Sequence, residues 1–161
     1  MRQAWVFEGV SVLVGPWHEP IEPPERGTRV EIRLLADEPH RGSYAAAQKV
    51  VLDDPLFRAD LFDQMNAPPG NLAAAHFHPN FIGVEPCDRV WDPAIKQDPI
   101  AWLTVELANL ERVLTRAGVD LADCKWLEDD AAAVKAATPA ICAAVEATWA
   151  EVRAEGSPHV I

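Results

Sequence analysis

The chain has 161 residues, of which 49% are hydrophobic and six are tryptophan, and this length and composition predict one folded domain spanning residues 1–161. Its 25 acidic and 14 basic residues give a formal charge of −11, which would repel phosphate backbones and anionic lipids and so argues against binding to nucleic acid or membranes. Three cysteines without a C-x-x-C pair, together with the lack of a signal-peptide core or a long apolar run, favour a reduced, cytoplasmic setting.

The first half of the chain predicts strands separated by residues that form turns. Polar and apolar residues alternate most regularly over residues 28–34, which is typical of a strand with one wet and one buried face. The five predicted strands cover residues 4–14, 28–36, 44–52, 56–64 and 72–78. Because the connections are short and rich in proline and glycine, we expect an antiparallel meander over residues 4–79, with a strongly curled sheet as one option.

The last third predicts two major helices, at residues 99–117 and 130–154. Asp98-Pro99 is a typical helix start, and Gly118 follows the first helix as a C-terminal cap. Pro139 either restarts or kinks the second helix. Strands followed by helices favour an α+β fold in which the helices cover one face of the sheet. The alanine-rich, lysine-poor composition is typical of a GC-rich bacterial genome.

A group of polar residues is predicted on one face of the last two strands. The odd-numbered residues of these strands are apolar, namely Phe57, Ala59, Leu61, Ala73, Ala75 and Phe77. Matching the apolar faces keeps the even-numbered residues together on the opposite face. A register that closes around Pro68 places Asp60 opposite His76 and Arg58 opposite His78, with paired Cβ atoms about 5 Å apart.

Two imidazoles and a carboxylate are suitable ligands for a divalent ion of zinc, iron, manganese or nickel, and they leave coordination positions open. We therefore consider His76, His78 and Asp60 as metal ligands or catalytic residues. Glu85 is a reserve metal ligand, if the irregular segment 83–98 folds back towards the histidines. Without a metal, His76 would act as a general base oriented by Asp60.

Three further residues are predicted to bind the substrate. Arg58 would hold an anionic group by a bidentate contact, while Phe81 and Trp91 would form the wall of the pocket. Cys87 is a weaker candidate as a thiolate nucleophile, because the neighbouring acids would raise its pKa. In a purely structural alternative, Arg58 and Asp60 form a salt bridge and the histidines lie at the edge of the sheet.

An H-x-H pair in a strand, followed by an acid, is loosely similar to the first metal motif of cupins. In cupins the acid normally sits closer to the second histidine than Glu85 does to His78. The flanking glycines and a second motif with its later histidine are missing. The likeness covers only the histidines and their immediate neighbours, and it assigns no family.

The sequence thus predicts a small protein with a polar pocket on one sheet face. It would bind a small polar or anionic molecule, as a metal-dependent enzyme or as a His/Asp acid–base enzyme. The alternative is a non-catalytic acidic protein of the inhibitor or immunity type, which uses its charge to bind a basic partner. Neither a P-loop nor the common hydrolase and metalloprotease motifs are present.

Overall fold

The computed structural model describes residues 1–155, which form an antiparallel sheet followed by helices. The main sheet is built from β1 (Gln3–Val6), β2 (Val10–Glu19), β3 (Glu25–Leu35), β4 (Leu52–Gln64) and β5 (His76–His78), paired in chain order. A small hairpin of β6 (Phe81–Ile82) and β7 (Glu85–Pro86) follows. The predicted α+β class with a five-stranded meander is confirmed, and the sheet is open, with β1 and β5 as its edges.

Two predicted strands were wrong. Residues 4–14 form two strands, β1 and β2, which turn around Gly9, whose amide is bonded to the Asp130 carboxylate. Residues 36–51 form a loop without a strand, so the prediction for 44–52 fails except at its last residue. Tyr44 in this loop is fully exposed, and residues 44–50 contain no buried side chain. The correct total of five strands therefore results from two compensating errors.

The last strand is shorter than predicted, because only His76–His78 pair with β4. Leu72 has a φ of +46°, and its carbonyl accepts a hydrogen bond from the Ala75 amide. This left-handed backbone turn ends any extended conformation that could begin at residue 72. The two histidines therefore lie on a short edge strand.

The helices are α1 (Pro93–Gln97), α2 (Pro99–Leu107), α3 (Leu110–Arg116) and α4 (Leu127–Glu155), with a 3₁₀ turn at Leu121–Asp123. Asp98 caps α2 as predicted, through its side chain and the Ala101 amide. The predicted helix 99–117 is interrupted at Asn109, a residue with low helix propensity that takes non-helical backbone angles. Pro139 lies inside the continuous α4. None of the helices within residues 1–155 is long and apolar enough to span a bilayer.

Helix α4 packs on β2 and β3 and covers one face of the sheet. The core holds the odd-numbered residues of β4, such as Phe57 and Leu61, with Ile141 and Val145 of α4. Trp149 of α4 donates its indole N–H to the Leu61 carbonyl at 2.8 Å. Because side chains alternate along a strand, the even-numbered residues of β4 lie on the opposite face.

Candidate metal centre

The pairing of β4 with β5 brings the predicted polar residues together. Asp60 lies opposite His76, and Arg58 lies opposite His78, so the predicted register is confirmed. The connection between the strands is held by side chains: the Asp63 carboxylate accepts hydrogen bonds from the amides of Gly70 and Leu72, at 2.7 and 2.9 Å. These bonds fix the loop and therefore the register in which β5 joins β4.

Asp60, His76 and His78 form a compact buried group. One ligand atom from each of the three residues lies within 4.8 Å of the others. The Asp60 Oδ2 atom is 3.4 Å from His76 Nε2 and 3.7 Å from His78 Nε2. Relative exposures are only 2% for Asp60, 1% for His76 and 6% for His78. The group could bind a metal ion, because all three ligand atoms converge on one point.

Backbone carbonyl groups orient both imidazole rings. His76 Nδ1 lies 2.7 Å from the Ala74 oxygen, and His78 Nδ1 lies 2.6 Å from the Cys87 oxygen. Since a carbonyl oxygen can only accept, each Nδ1 carries the proton and each ring turns its Nε2 towards Asp60. A hydrogen bond from the second ring nitrogen to a carbonyl is the usual support of a metal-binding histidine.

The distances within the group fit a metal ion. If both imidazoles are neutral, their Nε2 atoms direct lone pairs at the same carboxylate oxygen. These lone pairs repel the oxygen unless protons or a cation lie between the nitrogens and the carboxylate. The separations of 3.4 and 3.7 Å exceed those of an ordinary hydrogen bond. Tetrahedral ligands with bonds of 2.0–2.1 Å to zinc are about 3.3–3.5 Å apart. The two separations from Asp60 are therefore close to those of ligands that share one ion, and all three ligand atoms lie within 4.8 Å of one another.

Arg29 is the functional residue that the sequence did not reveal. Its Nε lies 2.6 Å from Asp60 Oδ1 and its Nη2 lies 3.1 Å from Oδ2, while its guanidinium stacks 3.8 Å from the centre of the Trp17 ring. Burial raises the pKa of Asp60, but the bidentate ion pair with Arg29 lowers it, and the net pKa lies well below its usual range. Asp60 is therefore an anion.

Arg58 does not pair with Asp60, so the salt bridge of the structural alternative was wrong, whereas the histidines do lie on the edge strand β5 as that alternative had it. Its Nε donates to Glu31 Oε1 at 3.0 Å, because Glu31 is the residue directly opposite on β3. Its guanidinium also lies 5.1 Å from the centre of the Phe81 ring. The only signal for these pairs was the alternation that places Arg29 and Glu31 on the same face of β3.

Phe81 and Trp91 both lie beside the histidines. The Trp91 ring centre is 5.2 Å from that of His76, and the Phe81 ring centre is 6.4 Å from that of His78. Hydrogen bonds between Phe77 and Val90 bring the segment of Trp91 alongside β5. The two aromatic rings therefore lie beside the candidate metal ligands, and their place at a pocket wall stays a prediction.

The structure does not bring Glu85 to the metal centre. Glu85 is exposed in β7, where it pairs with Ile82, and within residues 1–155 the metal-ligand group contains only Asp60, His76 and His78. The short hairpin turns Glu85 away into solvent. Cys87 contributes its carbonyl oxygen to His78, while its thiol lies 3.5 Å from the Asp88 oxygen.

Comparisons with known proteins found no matching family model, no matching curated protein and no matching solved structure. The likeness to cupins therefore has no support beyond the H-x-H pair. Cupins are double-sheet jelly rolls, whereas the main sheet here is a single open meander. The chemistry of the centre must be inferred from its own side chains.

Proposed function

We propose that the protein binds a divalent metal ion through Asp60, His76 and His78, and that the ion holds a small polar or anionic molecule at its open positions. The observation that carries this proposal is the orientation of the rings. Both Nδ1 atoms are bonded to backbone carbonyls, and both Nε2 atoms face Asp60 Oδ2. Two nitrogen ligands and one oxygen ligand suit zinc, iron, manganese or nickel.

The charges around the centre favour an anionic ligand. Arg29 neutralises the charge of Asp60, and the two imidazoles are neutral ligands. A bound divalent ion would therefore keep its full positive charge. A bound metal acts as a Lewis acid towards such a ligand. Phe81 and Trp91 would exclude water beside the histidines, and the Arg58 guanidinium above Phe81 would add a positive charge at that side. These residues are the proposed substrate contacts.

A metal-free acid–base enzyme has less support from the geometry. A general base needs a ring nitrogen that can reach the substrate proton. In His76, Nδ1 is bonded to the Ala74 carbonyl and Nε2 faces Asp60, and the side chain is almost fully buried. The Ala74 carbonyl therefore orients the ring, whereas the sequence had suggested Asp60. The unprotonated nitrogen, Nε2, is buried against Asp60 and does not face a substrate.

The rival proposal, binding of a basic protein partner, is supported by the net charge of −11 alone. Net charge of this size also serves to keep a protein in solution. The buried Asp60, His76 and His78 contribute nothing to a flat interaction surface, since they are almost inaccessible. The metal-binding proposal therefore explains more of the molecule.

Metal binding can be tested on untagged protein that has been purified without chelators. We expect elemental analysis to find one zinc, iron, manganese or nickel ion per chain, and titration calorimetry to show that the chelator-treated protein regains it. His76→Gln with His78→Gln should weaken binding at least about tenfold, since removal of even outer-shell partners has this effect. His40→Gln, in the exposed loop, is the matched control.

Two results would contradict the proposal. The first is a double variant that binds the ion as tightly as the wild-type protein does. The second is a chelator-treated wild-type protein whose calorimetric titrations with all four ions match those of buffer alone. Circular dichroism of every variant would establish that it is folded before its binding is interpreted.

A further inference from the structure

A cavity of about 230 Å³ lies on the polar face of the sheet, next to the metal centre. Its basic lining consists of Arg2, Arg29, Arg33 and Arg58, and Glu31 is its one acidic residue. Arg29 links the cavity to the metal centre, because the same guanidinium is bonded to Asp60. The cavity is distinct from the group of ligands, none of which lines it.

The cavity has an excess of positive charge in an acidic protein. Glu31 accepts hydrogen bonds from both Arg33 and Arg58, and Asp60 neutralises Arg29. Arg2 has no ion pair among the residues that the structure describes. Four guanidinium groups thus face two carboxylates, although the whole chain has a net charge of −11. Such a local excess favours an anion.

The guanidinium groups of Arg29 and Arg58 retain donors for a ligand despite their ion pairs. Arg33 donates from Nε and Nη2 to Glu31 and from Nη1 to the Asp53 carbonyl, so it keeps only the second N–H of each Nη group. Each guanidinium carries five N–H donors in a planar fork that matches carboxylate and phosphate oxygens. Arg58 uses Nε and Nη2 on Glu31, and Arg29 uses Nε and Nη2 on Asp60. The Nη1 groups of both residues make no hydrogen bond within residues 1–155.

The remaining wall of the cavity is apolar and partly flat. Leu13 and Pro16 line it, and the ring of Trp17 lies against Arg29 at 3.8 Å. The side chain of Arg2 crosses Gly15, where an added Cβ would lie only 2.7 Å from Arg2 Cγ. Glycine at this position therefore lets the first arginine reach the cavity.

We infer that this cavity binds a small organic anion, in which a carboxylate or phosphate group is attached to a flat apolar part. The oxyanion would contact Arg2, Arg33 and Arg58, and the apolar part would lie against Leu13 and Trp17. A cavity of about 150 Å³ can hold benzene, so 230 Å³ has room for one ring with its oxyanion. Neither the metal ligands nor Phe81 and Trp91 line the cavity, so this ligand goes beyond the proposed function and does not depend on it.

The experiment compares four small probes by titration calorimetry on the full chain, with and without metal. Phenyl phosphate and benzoate carry an oxyanion on a ring, inorganic phosphate lacks the ring, and benzamide lacks the charge. We expect phenyl phosphate or benzoate to bind more tightly than the other two probes, and the preferred one identifies the oxyanion. Arg2→Gln and Arg33→Gln should each weaken that binding about tenfold, as expected for loss of a charged hydrogen bond.

Arg116→Gln is the matched control for Arg33→Gln. Arg116 shares the buried Glu106 with Arg112, just as Arg33 shares the buried Glu31 with Arg58. Each substitution therefore leaves its glutamate with one arginine, but only Arg33 lines the cavity. We expect Arg116→Gln to bind the preferred probe like the wild-type protein.

Three outcomes would overturn the inference. Benzamide or inorganic phosphate could bind as tightly as both ring anions, or none of the probes could bind. The third outcome is that Arg33→Gln and Arg116→Gln lose affinity for the preferred probe equally. Failure of the metal proposal is distinguishable from these outcomes. The His76→Gln/His78→Gln double variant should lose the metal and still bind the ring anion. A protein that binds metal but no ring anion would contradict the cavity alone.

Discussion

Asp60 is bonded on one side to a guanidinium and faces two imidazoles on the other. Arg29 makes a bidentate contact with the carboxylate, and the Arg29 side chain is only 11% exposed. A buried carboxylate needs such a partner, because an isolated buried charge is strongly unfavourable. The same contact reduces the attraction of Asp60 for a metal ion. If the group binds a metal ion as proposed, Arg29 stabilises the metal-free protein at the expense of metal affinity.

Replacement of Arg29 should therefore change stability and metal affinity in opposite directions. Arg29→Gln leaves the buried Asp60 without its charge partner, and we expect the free energy of unfolding of the metal-free protein to fall by about 3–5 kcal/mol. Metal affinity should rise, because a positive charge next to the ligands is removed. Urea unfolding and titration calorimetry measure the two effects.

Arg58→Gln is the control for this prediction. Arg58 lies next to the candidate metal centre, but it pairs with Glu31, which keeps Arg33 as a partner. Asp60 keeps its own ion pair with Arg29. We expect a smaller loss of stability and little change in metal affinity. Equal losses of stability in the two variants, or a weaker metal affinity in Arg29→Gln, would show that Arg29 does not have the role assigned to it.

At the scale of elements, Asp130 joins the long helix to the first hairpin. It lies in the first turn of α4 and is 3% exposed. Its carboxylate accepts from the amides of Glu8, Gly9 and Val10, at 3.0, 2.8 and 3.1 Å. The ring of Trp126 occupies the space where a Gly9 side chain would lie. One carboxylate and one aromatic ring therefore fix the turn between β1 and β2.

Asp130→Ala should destabilise the protein by at least about 2 kcal/mol, because it leaves three backbone donors without their acceptor. Hydrogen exchange at the amides of Gly9 and Val10 should become faster, since these groups lose their bonds. The exposed neighbour Asp129 provides the control, and Asp129→Ala should change stability by less than about 0.5 kcal/mol. Similar unfolding curves for the two variants would disprove the assigned role of Asp130.

The elements that could be predicted are those whose positions follow from signals within a short stretch of sequence, such as a helix cap or the alternation of side chains along a strand. Asp98 caps α2 as its position before Pro99 indicated, and the apolar face of β4 set the parity that pairs Asp60 with His76. The turn at Gly9 was not predictable, because its partner Asp130 is 121 residues away along the chain. The predicted strand at residues 44–52 failed because, in the described part of the chain, only its last residue, Leu52, pairs with a neighbouring strand.

The candidate site was predictable only in part for the same reason. The β4–β5 register follows from parity on two adjacent strands, and it brought His76 and His78 to Asp60. The β3–β4 register depends on the loop 36–51 and on irregularities next to Arg33, which no local pattern specifies. The pairs of Arg29 with Asp60 and of Glu31 with Arg58 were therefore missed.

At the scale of the whole molecule, Asp63 connects the sheet, the loop before the histidines and the end of α4. Its carboxylate accepts hydrogen bonds from the amides of Gly70 and Leu72. It also accepts one of 3.0 Å from the Nε of Arg153, which lies 90 residues further along the chain. Arg153 also lies 4.8 Å from the ring centre of Trp149. The two layers are thus joined at the edge of the sheet that carries β5.

This connection should make the stability of the molecule depend on pH. Burial raises the pKa of Asp63, but Arg153 and the amides of Gly70 and Leu72 lower it more, and the net pKa is below its usual value. The unfolded chain therefore takes up a proton at Asp63 more readily than the folded chain does. Stability from this group is complete above the unfolded pKa, near 4, and is lost as the pH falls below it.

Asp63→Asn should therefore be less stable than the wild-type protein at pH 7, and the difference should shrink as the pH falls from about 4 towards 2. Urea unfolding of both proteins between pH 7 and the acid limit of folding measures this convergence. Asp54→Asn, at an exposed position of β4, should follow the wild-type curve throughout. A difference between Asp63→Asn and the wild-type protein that is constant with pH would mean that the Asp63 side chain acts through its shape and not through its charge.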